Sequence, residues 1–255
     1  MISPRRAHAR ILLIAAAALF STGGTAIKAT ALTGWQVAGF RSGIAALALF
    51  LMVPAARRAW GWRPVLVGAA YAATMILFVQ ATKLTTAANT IFLQSTAPRP
   101  VEGNVLALLC GMTWALTIIG LRWMSRSDNG PSPALAVVTG NVLALLLCLR
   151  WALPVGAPHA SDWLVIMYLG VFQVGLAYAC LTVALQHVAA LEASLILLLE
   201  PVLNPVWVWL IQGERPGGWA LLGGAIILLA TGVKALLDAS RDRDFAASGR
   251  PSRST

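Results

Sequence analysis

Two ionisable residues, Glu200 and Arg41, lie inside long apolar stretches of the 255-residue sequence. A charged group at membrane depth is costly, so each is a candidate for function. Glu200 directly precedes Pro201, whose missing backbone N–H leaves carbonyl groups of the preceding turn unpaired. A carboxyl group in such a low-dielectric site could exchange protons, which predicts a proton-coupling role. A structural acid bonded to a neighbouring helix is the alternative.

Arg41 lies between Gly39 and Gly43, and this spacing of small residues permits the close approach of another helix. The guanidinium could bind an anionic substrate or pair with an acid. Its long side chain could also reach the outer surface of a membrane. The sequence leaves these readings open, and we take Arg41 as a candidate substrate-binding residue.

Uncharged polar and aromatic side chains inside the apolar stretches form a second set of candidates. Amides offer donors and acceptors without a charge, which suits a polar or zwitterionic ligand, although they also hydrogen-bond between helices. Aromatic rings could line a cavity and stack on a flat or apolar substrate. These further substrate-binding candidates are Tyr71, Asn89, Gln94, Trp114, Asn141 and Tyr178. Gln80 and Gln173 are two more amides at mid-span.

Motifs for other kinds of chemistry are missing from the sequence. It contains no phosphate-binding glycine loop, nucleophile elbow, metal-ligand cluster or pair of mid-membrane acids. This argues against an ATP-driven pump or a typical enzyme, and we expect no enzymatic activity, cofactor or metal. An intramembrane enzyme that uses Glu200 as acid or base is a weaker alternative. Most basic residues behind the net charge of +10 lie at the ends of apolar stretches, so we expect no nucleic-acid partner.

The elements that must position these residues are membrane-spanning helices. The sequence is 58% hydrophobic and 11% charged, whereas a soluble domain has about 25% charged residues. A stretch of about 20 apolar residues crosses a hydrocarbon core of roughly 30 Å. We therefore predict an all-α polytopic membrane protein in the lipid bilayer, with about eight spans. They are Ile11–Ile27, Gln36–Pro54, Pro64–Thr82, Asn104–Leu121, Ala134–Leu149, Trp163–Ala184, Ala189–Ile211 and Trp219–Leu237.

The basic residues also predict the topology, because cytoplasmic loops are enriched in Lys and Arg. Such residues precede the first span, follow the second, fourth and eighth, and are sparse elsewhere. We expect a bacterial inner-membrane protein with both termini in the cytoplasm, which requires an even number of crossings. A ninth stretch, Leu84–Pro98, is short and polar, and we predict that it enters the membrane without crossing it. The tail after Asp238 is expected to be disordered.

Two segments suggest an internal repeat. Ala81–Pro98 and Ala184–Pro201 each follow a spanning helix by a short polar turn and end in proline, although they share only three identities in 18 positions. Two repeats are a common transporter plan, with the substrate site at their interface. The first half is shorter, because only five residues separate Pro98 from the predicted helix at Asn104, whereas 37 follow Pro201 up to Asp238.

The stretch Glu192–Gly232 resembles the EamA-type members of the drug/metabolite transporter superfamily. It carries a Glu-Pro break at Glu200, a Gly-Glu-Arg turn at Gly213 and a glycine-rich last helix. Ala17–Lys28 and Met112–Arg122 resemble the helices that open the two repeats of that family, and Thr85–Pro98 resembles the penultimate helix of the first repeat. The resemblance implies ten helices in two inverted five-helix repeats around a central cavity. This chain lacks the end of the fourth helix and all of the fifth.

The resemblance divides the chain into a cytoplasmic N-terminus (1–10), a truncated first repeat (11–103), a second repeat (104–237) and a tail (238–255). The last helix of each repeat is associated with dimer contacts in the family, which implies a homodimer. We therefore expect a secondary transporter that exports an amino acid, nucleoside or drug-like compound by alternating access. The alternative is a non-transporting truncated relic, or an assembly subunit that needs a second chain to complete its cavity.

Overall fold

A computed structural model describes residues 4–57, 61–84, 100–125, 132–184, 187–188 and 190–213, together with residues 222, 225, 226, 229 and 233. Within these residues the chain is helical and contains no β-strand. The helices are α1 (Pro4–Ser21), α2 (Gly23–Lys28), α3 (Gly34–Met52), α4 (Trp62–Leu84), α5 (Pro100–Ser125), α6 (Pro133–Ala152), α7 (Ala160–Tyr168), α8 (Ala177–Ala184), α9 (Ala190–Leu197) and α10 (Leu199–Gln212). A 3₁₀ turn covers Pro54–Arg57, and a π-helical segment, Leu169–Leu176, joins α7 to α8.

Six helical runs in the described residues are long and apolar enough to cross a membrane. They are Ala7–Lys28, Gly34–Met52, Trp62–Leu84, Val101–Met124, Pro133–Ala152 and Ala160–Ala184, and a shorter apolar helix covers Leu195–Ile211. The six runs confirm the all-α polytopic membrane fold and match the first six predicted spans, and the shorter helix lies within the seventh, Ala189–Ile211. The eighth predicted span lies outside the described residues apart from five single positions. Also outside them lie residues 85–98 of the predicted non-crossing segment and the tail after Asp238, so both remain predictions.

Side chains fix where α3 begins and what it contacts there. Thr33 Oγ1 accepts a hydrogen bond from the Gln36 backbone, and Gln36 Oε1 accepts one from the Thr33 backbone, forming a capping box. Gln36 Nε2 also donates to the carbonyl of Ala152 at 3.1 Å. Beside this bond the rings of Trp35 and Trp151 stack with their centroids 4.9 Å apart. The start of α3 is therefore held against the end of α6.

Glycines allow α4 and α6 to touch along their backbones. A Cβ atom placed on Gly140 would lie 2.6 Å from the carbonyl oxygen of Gly68 and 2.6 Å from Cδ1 of Tyr71. The contact brings Asn141, the next residue of α6, against Tyr71 of α4. The backbone approach of these two helices thus determines where two of the predicted site residues meet.

The two glycines that flank Arg41 face α6, as their spacing predicts. A Cβ atom on Gly39 would lie 3.0 Å from Cβ of Cys148, and one on Gly43 would lie 3.1 Å from Cδ2 of Leu145. Since these glycines face α6, the intervening Arg41 side chain is directed toward α4 and the π-helical segment, where its contacts lie.

Helix α1 is joined to the last described helices of the chain. Arg10 forms an ion pair with Glu192 of α9. Near the other end of α1, Trp207 Nε1 of α10 donates to Ser21 Oγ at 3.0 Å. Because the earlier residue of α1 pairs with the earlier residue of α9–α10, the two run in the same direction.

Asp162 joins three segments at one end of the bundle. Its Oδ1 accepts hydrogen bonds from Thr30 Oγ1 at 2.7 Å and from the Ala31 backbone at 2.9 Å. Its Oδ2 accepts from the His159 backbone at 3.0 Å. Lys83 Nζ of α4 donates to the carbonyl of Thr30 at 2.7 Å. One carboxylate therefore fixes the segment between α2 and α3 against the start of α7, beside the end of α4.

We expect Asp162→Ala to lower the thermal unfolding midpoint of the detergent-solubilised chain by a few degrees. The substitution removes the acceptor of all three hydrogen bonds and leaves the Thr30 and Ala31 donors without that partner. The matched control is Ser161→Ala, at an exposed position on the same turn. If both variants unfold at the wild-type temperature, the carboxylate does not hold these segments together.

Candidate substrate site

Arg41 is the most deeply buried charged residue of the described part of the chain, with 1% of its surface exposed. Its Nη2 donates to the carbonyl of Met75 at 3.2 Å, and its Nη1 reaches Gln173 Oε1 at 3.4 Å. The guanidinium carbon lies 5.8 Å from the ring centroid of Phe78. The side chain therefore points into the bundle, so of the three readings the route to the outer surface is wrong. Among the described residues it forms no ion pair with an acid.

Two tyrosines meet beside this arginine. Tyr71 is 0% and Tyr178 3% exposed, and their rings pack edge to face with centroids 5.5 Å apart. Phe20 of α1 also packs edge to face against Tyr178, with ring centroids 5.0 Å apart. Both hydroxyl groups lie within electrostatic range of Arg41. The three rings thus form a contiguous aromatic contact that joins α1, α4 and α8.

Asn141 completes this arrangement from α6. Its Nδ2 donates to Tyr71 Oη at 3.2 Å and to the carbonyl of Val137 at 3.0 Å. Its Oδ1 is buried and has no hydrogen-bond partner within the described part of the chain. We call Arg41, Tyr71, Asn141, Gln173 and Tyr178 the polar cluster. Its members come from α3, α4, α6, the π-helical segment and α8.

Gln173 lies within the π-helical segment of its span. The π-helical segment lies against α3, since a Cβ atom on Gly170 would meet Cβ of Ile44 at 2.6 Å and the Arg41 carbonyl at 2.9 Å. Such segments are rare and are frequently found at functional sites. Here the segment supplies the amide oxygen of Gln173. Among the described side chains, Arg41 donates hydrogen bonds to this oxygen and to the sulfur of Met75.

Glu200 is the second residue of α10 and is partly buried. It interacts electrostatically with Tyr178 but makes no hydrogen bond to another described residue. One turn further along α10, Asn204 is buried with its Oδ1 unpaired within the described part of the chain. The predicted proton-coupling residue on α10 therefore lies within electrostatic range of Tyr178 of the polar cluster.

Several buried polar atoms of α3, α6 and α10 have no hydrogen-bond partner among the described residues. They are Arg41 Nε, Ser42 Oγ, Thr139 Oγ1, Asn141 Oδ1 and Asn204 Oδ1. Buried polar groups are nearly always paired, so a group of unpaired ones calls for water, an ion or a ligand. Three helices, α3, α6 and α10, present these atoms.

Of the other predicted residues, the structure does not bring Trp114 to the cluster. It lies on α5 with 37% of its surface exposed. Asn89 and Gln94 lie outside the described residues. Sequence reasoning placed Gln173 at mid-span without assigning it to the site, whereas Met75 and Phe78 are apolar and give no such signal. The described residues contain no group of three His, Cys, Asp or Glu side chains that could hold a metal ion.

Comparison with known proteins identifies the family. The model of the EamA-like transporter family matches residues 101–233, which is just over half of the chain. The chain belongs to the EamA-like transporter family. This family is part of the drug/metabolite transporter superfamily, so the resemblance noted in Glu192–Gly232 is confirmed. The matched region of this EamA-like transporter contains Asn141, Gln173, Tyr178 and Glu200, while Arg41 and Tyr71 precede it.

The fold of this EamA-like transporter is also found among solved structures. One of them, titled "Crystal structure of protein", has a TM-score of 0.64 and 18% sequence identity, and the similarity covers 92% of this chain and 98% of that one. At this identity the likeness concerns the fold alone. No curated protein matches the sequence.

Proposed function

We propose that this EamA-like transporter is a secondary transporter that exports a small metabolite by alternating access. The candidates are amino acids, nucleosides and drug-like compounds. One observation carries the proposal: four residues predicted from sequence, Arg41, Tyr71, Asn141 and Tyr178, meet in one buried cluster contributed by four separate helices. A substrate site between helices near the membrane midplane is typical of secondary transporters.

The depth of the cluster supports this role. Arg41 is seven residues after the start of α3 at Gly34, and Asn141 is eight residues after the start of α6 at Pro133. At 1.5 Å per residue these positions lie about 10 and 12 Å from the helix ends. In a hydrocarbon core of roughly 30 Å, both are well inside the membrane.

We assign proton coupling to Glu200. It is the only acid within the interior of a predicted span, and it lies beside Tyr178 without a described hydrogen-bond partner. The proposal also places the chain in a bacterial inner membrane with both termini in the cytoplasm, as a homodimer. The positions of the basic residues support the orientation.

Reconstituted transport tests the proposal. The purified full chain, placed in proteoliposomes with a pH gradient, should move at least one member of a panel of radiolabelled amino acids, nucleosides and cationic dyes. Empty liposomes give the background. We expect Asn141→Leu, which removes the amide at similar volume, to reduce this transport strongly. We expect Trp114→Leu, at the exposed position on α5, to retain it.

A folded chain that moves no member of the panel would favour the non-transporting relic or assembly subunit. The short first half of the chain supports that alternative, since only residues 85–99 lie between α4 and α5. Equal loss of transport in the Asn141 and Trp114 variants would indicate that the polar cluster is not the substrate site.

A further inference from the structure

We infer that Arg41 is the receptor for a carboxylate group, so that the molecule bound in the polar cluster carries one carboxylate. This inference rests on the proposed function and narrows its substrate class. It depends on three properties of Arg41: its burial, the lack of an acidic partner among the described residues, and an Nε–H group that none of those residues accepts.

The burial of Arg41 requires a negative charge that the described residues do not supply. Removing a charge from water is costly unless it is paired. The contacts of Arg41 are a backbone carbonyl, an amide oxygen, a thioether sulfur and an aromatic ring, and all of them are neutral. A bound anion would neutralise the charge in place.

The four acids in the described residues are engaged or placed elsewhere. Asp162 accepts three hydrogen bonds at one end of the bundle, Glu192 pairs with Arg10, Glu102 lies in the first turn of α5, and Glu200 lies beside Tyr178. None of them forms an ion pair with Arg41. The structure therefore leaves the position of the counter-charge open to a ligand.

The donors of Arg41 suit a carboxylate. Its Nε has no hydrogen-bond partner within the described part of the chain, and its Nη1 bond to Gln173 is long at 3.4 Å. Nε–H and the Nη1–H groups lie on different edges of the guanidinium, so a carboxylate that replaces Gln173 binds the edge formed by Nη1 and Nη2, which matches its two oxygens. Gln173 would yield its bond without becoming exposed to lipid, because it is itself 5% exposed.

The charge balance favours a carboxylate over a phosphate. A single guanidinium neutralises a single negative charge, whereas a dianionic phosphate would leave one charge uncompensated. Of the other cations in the described part of the chain, Lys83 donates to Thr30 at the end of α4 and Arg10 pairs with Glu192.

The unpaired acceptor of Asn141 indicates what else the molecule carries. Asn141 Oδ1 is fully buried, and Nδ2 of the same side chain bonds Tyr71, which lies within electrostatic range of Arg41. An N–H or O–H group on the same molecule would satisfy this acceptor. The ligand is therefore a small carboxylate with a donor group, and neutral nucleosides do not fit it.

Matched probes test the inference in the purified full chain in detergent. Benzoate and benzamide have nearly the same shape, but benzoate is an anion without donors and benzamide is neutral with N–H donors, so the pair tests the carboxylate alone. Inorganic phosphate, at a pH above its second pKa, supplies a dianion. Binding is measured by titration calorimetry and by the shift of the thermal unfolding midpoint. We expect benzoate to bind, and benzamide and phosphate to bind at least about tenfold more weakly, since a charged hydrogen bond is worth at least that factor.

Variants of the arginine identify the site. Arg41→Gln should weaken benzoate binding by about tenfold or more, and it should not weaken the binding of benzamide. Arg41→Lys keeps the positive charge but loses the planar set of N–H donors, and its affinity for benzoate should lie between those of the wild type and Arg41→Gln. Arg150→Gln, at an exposed position in the last turn of α6, is the matched control and should bind as the wild type does. Without ligand, Arg41→Gln should unfold at an equal or higher temperature, because it removes an uncompensated buried charge.

The outcomes separate this inference from the proposed function. Benzoate binding that depends on Arg41, without transport of any substrate, would support the carboxylate site and reject the transporter. Transport that is unaffected by Arg41→Gln, or that prefers neutral molecules, would support the transporter and overturn the carboxylate site. Equal binding of benzoate and benzamide, or of benzoate by wild type and Arg41→Gln, would also overturn it.

Discussion

Gly140→Val should prevent the chain from reaching a folded, monodisperse state in detergent. A Cβ atom at this position would lie 2.6 Å from the backbone carbonyl oxygen of Gly68 and 2.6 Å from the Tyr71 ring. A backbone atom in a packed helix cannot move aside as a flexible side chain can, so α4 and α6 would have to separate. Overpacking of this kind typically costs about 1–3 kcal/mol, and the separation would also break the bond between Asn141 and Tyr71.

Fluorescence-detected size-exclusion chromatography of tagged protein measures the effect as the fraction of monodisperse chain. The matched control is Gly111→Val, because a Cβ atom on Gly111 of α5 meets nothing within 4 Å. We expect that control to elute as the wild type does. A monodisperse Gly140→Val variant that still transports would show that the α4–α6 contact is not required for the fold.

Glu200→Gln should abolish accumulation driven by a pH gradient while leaving exchange of labelled for unlabelled substrate intact. Glutamine keeps the size of the side chain but cannot carry a proton through the cycle. With one proton per substrate molecule, a gradient of one pH unit sustains up to about tenfold accumulation, and this gain should disappear. The expectation presumes transport by the wild type, and proteoliposomes assayed at several internal pH values measure it.

Glu192→Gln is the control for this experiment. It removes an acid from the same end of the chain, but one that is paired with Arg10 and about one-third exposed. We expect this variant to retain gradient-driven accumulation. Should Glu200→Gln keep the wild-type pH dependence, the coupling proton travels by another group.

The spans could be predicted from sequence because lipid imposes a simple rule on them. Every backbone polar group must be satisfied internally, so a long apolar stretch becomes a helix. The boundaries were less certain: α5 begins at Pro100, four residues before the predicted start at Asn104. The π-helical form of Leu169–Leu176 could not be predicted, because its residues continue the same apolar pattern as the rest of the span. Its form accompanies the contact of Gly170 and Gly175 with α3, which only the tertiary structure shows.

The polar cluster was predictable for the same reason, because Arg41, Tyr71, Asn141 and Tyr178 stand out in apolar surroundings. The direction of each side chain was not. Arg41 lies close enough to the end of α3 for its side chain either to be buried or to extend to the membrane surface. Its contacts with Met75 and Phe78 show that it is buried. Trp114 lies on a helix that is apolar nearly all round, so its sequence does not reveal which face meets the bundle.

The pairing of α1 with α9 and α10 has a consequence for synthesis. Ser21 and Trp207 are 186 residues apart, and Arg10 and Glu192 are 182 apart. At about 5–20 residues per second, the first helix waits roughly 10–40 s in the bilayer before these partners leave the ribosome. During this time the Ser21 hydroxyl is not left without a partner in the bilayer, because it donates to the Ala18 carbonyl of its own helix at 2.7 Å. Assembly of these helices therefore finishes only after Trp207 has been synthesised, and a nascent chain that stalls earlier leaves its first helix without these partners.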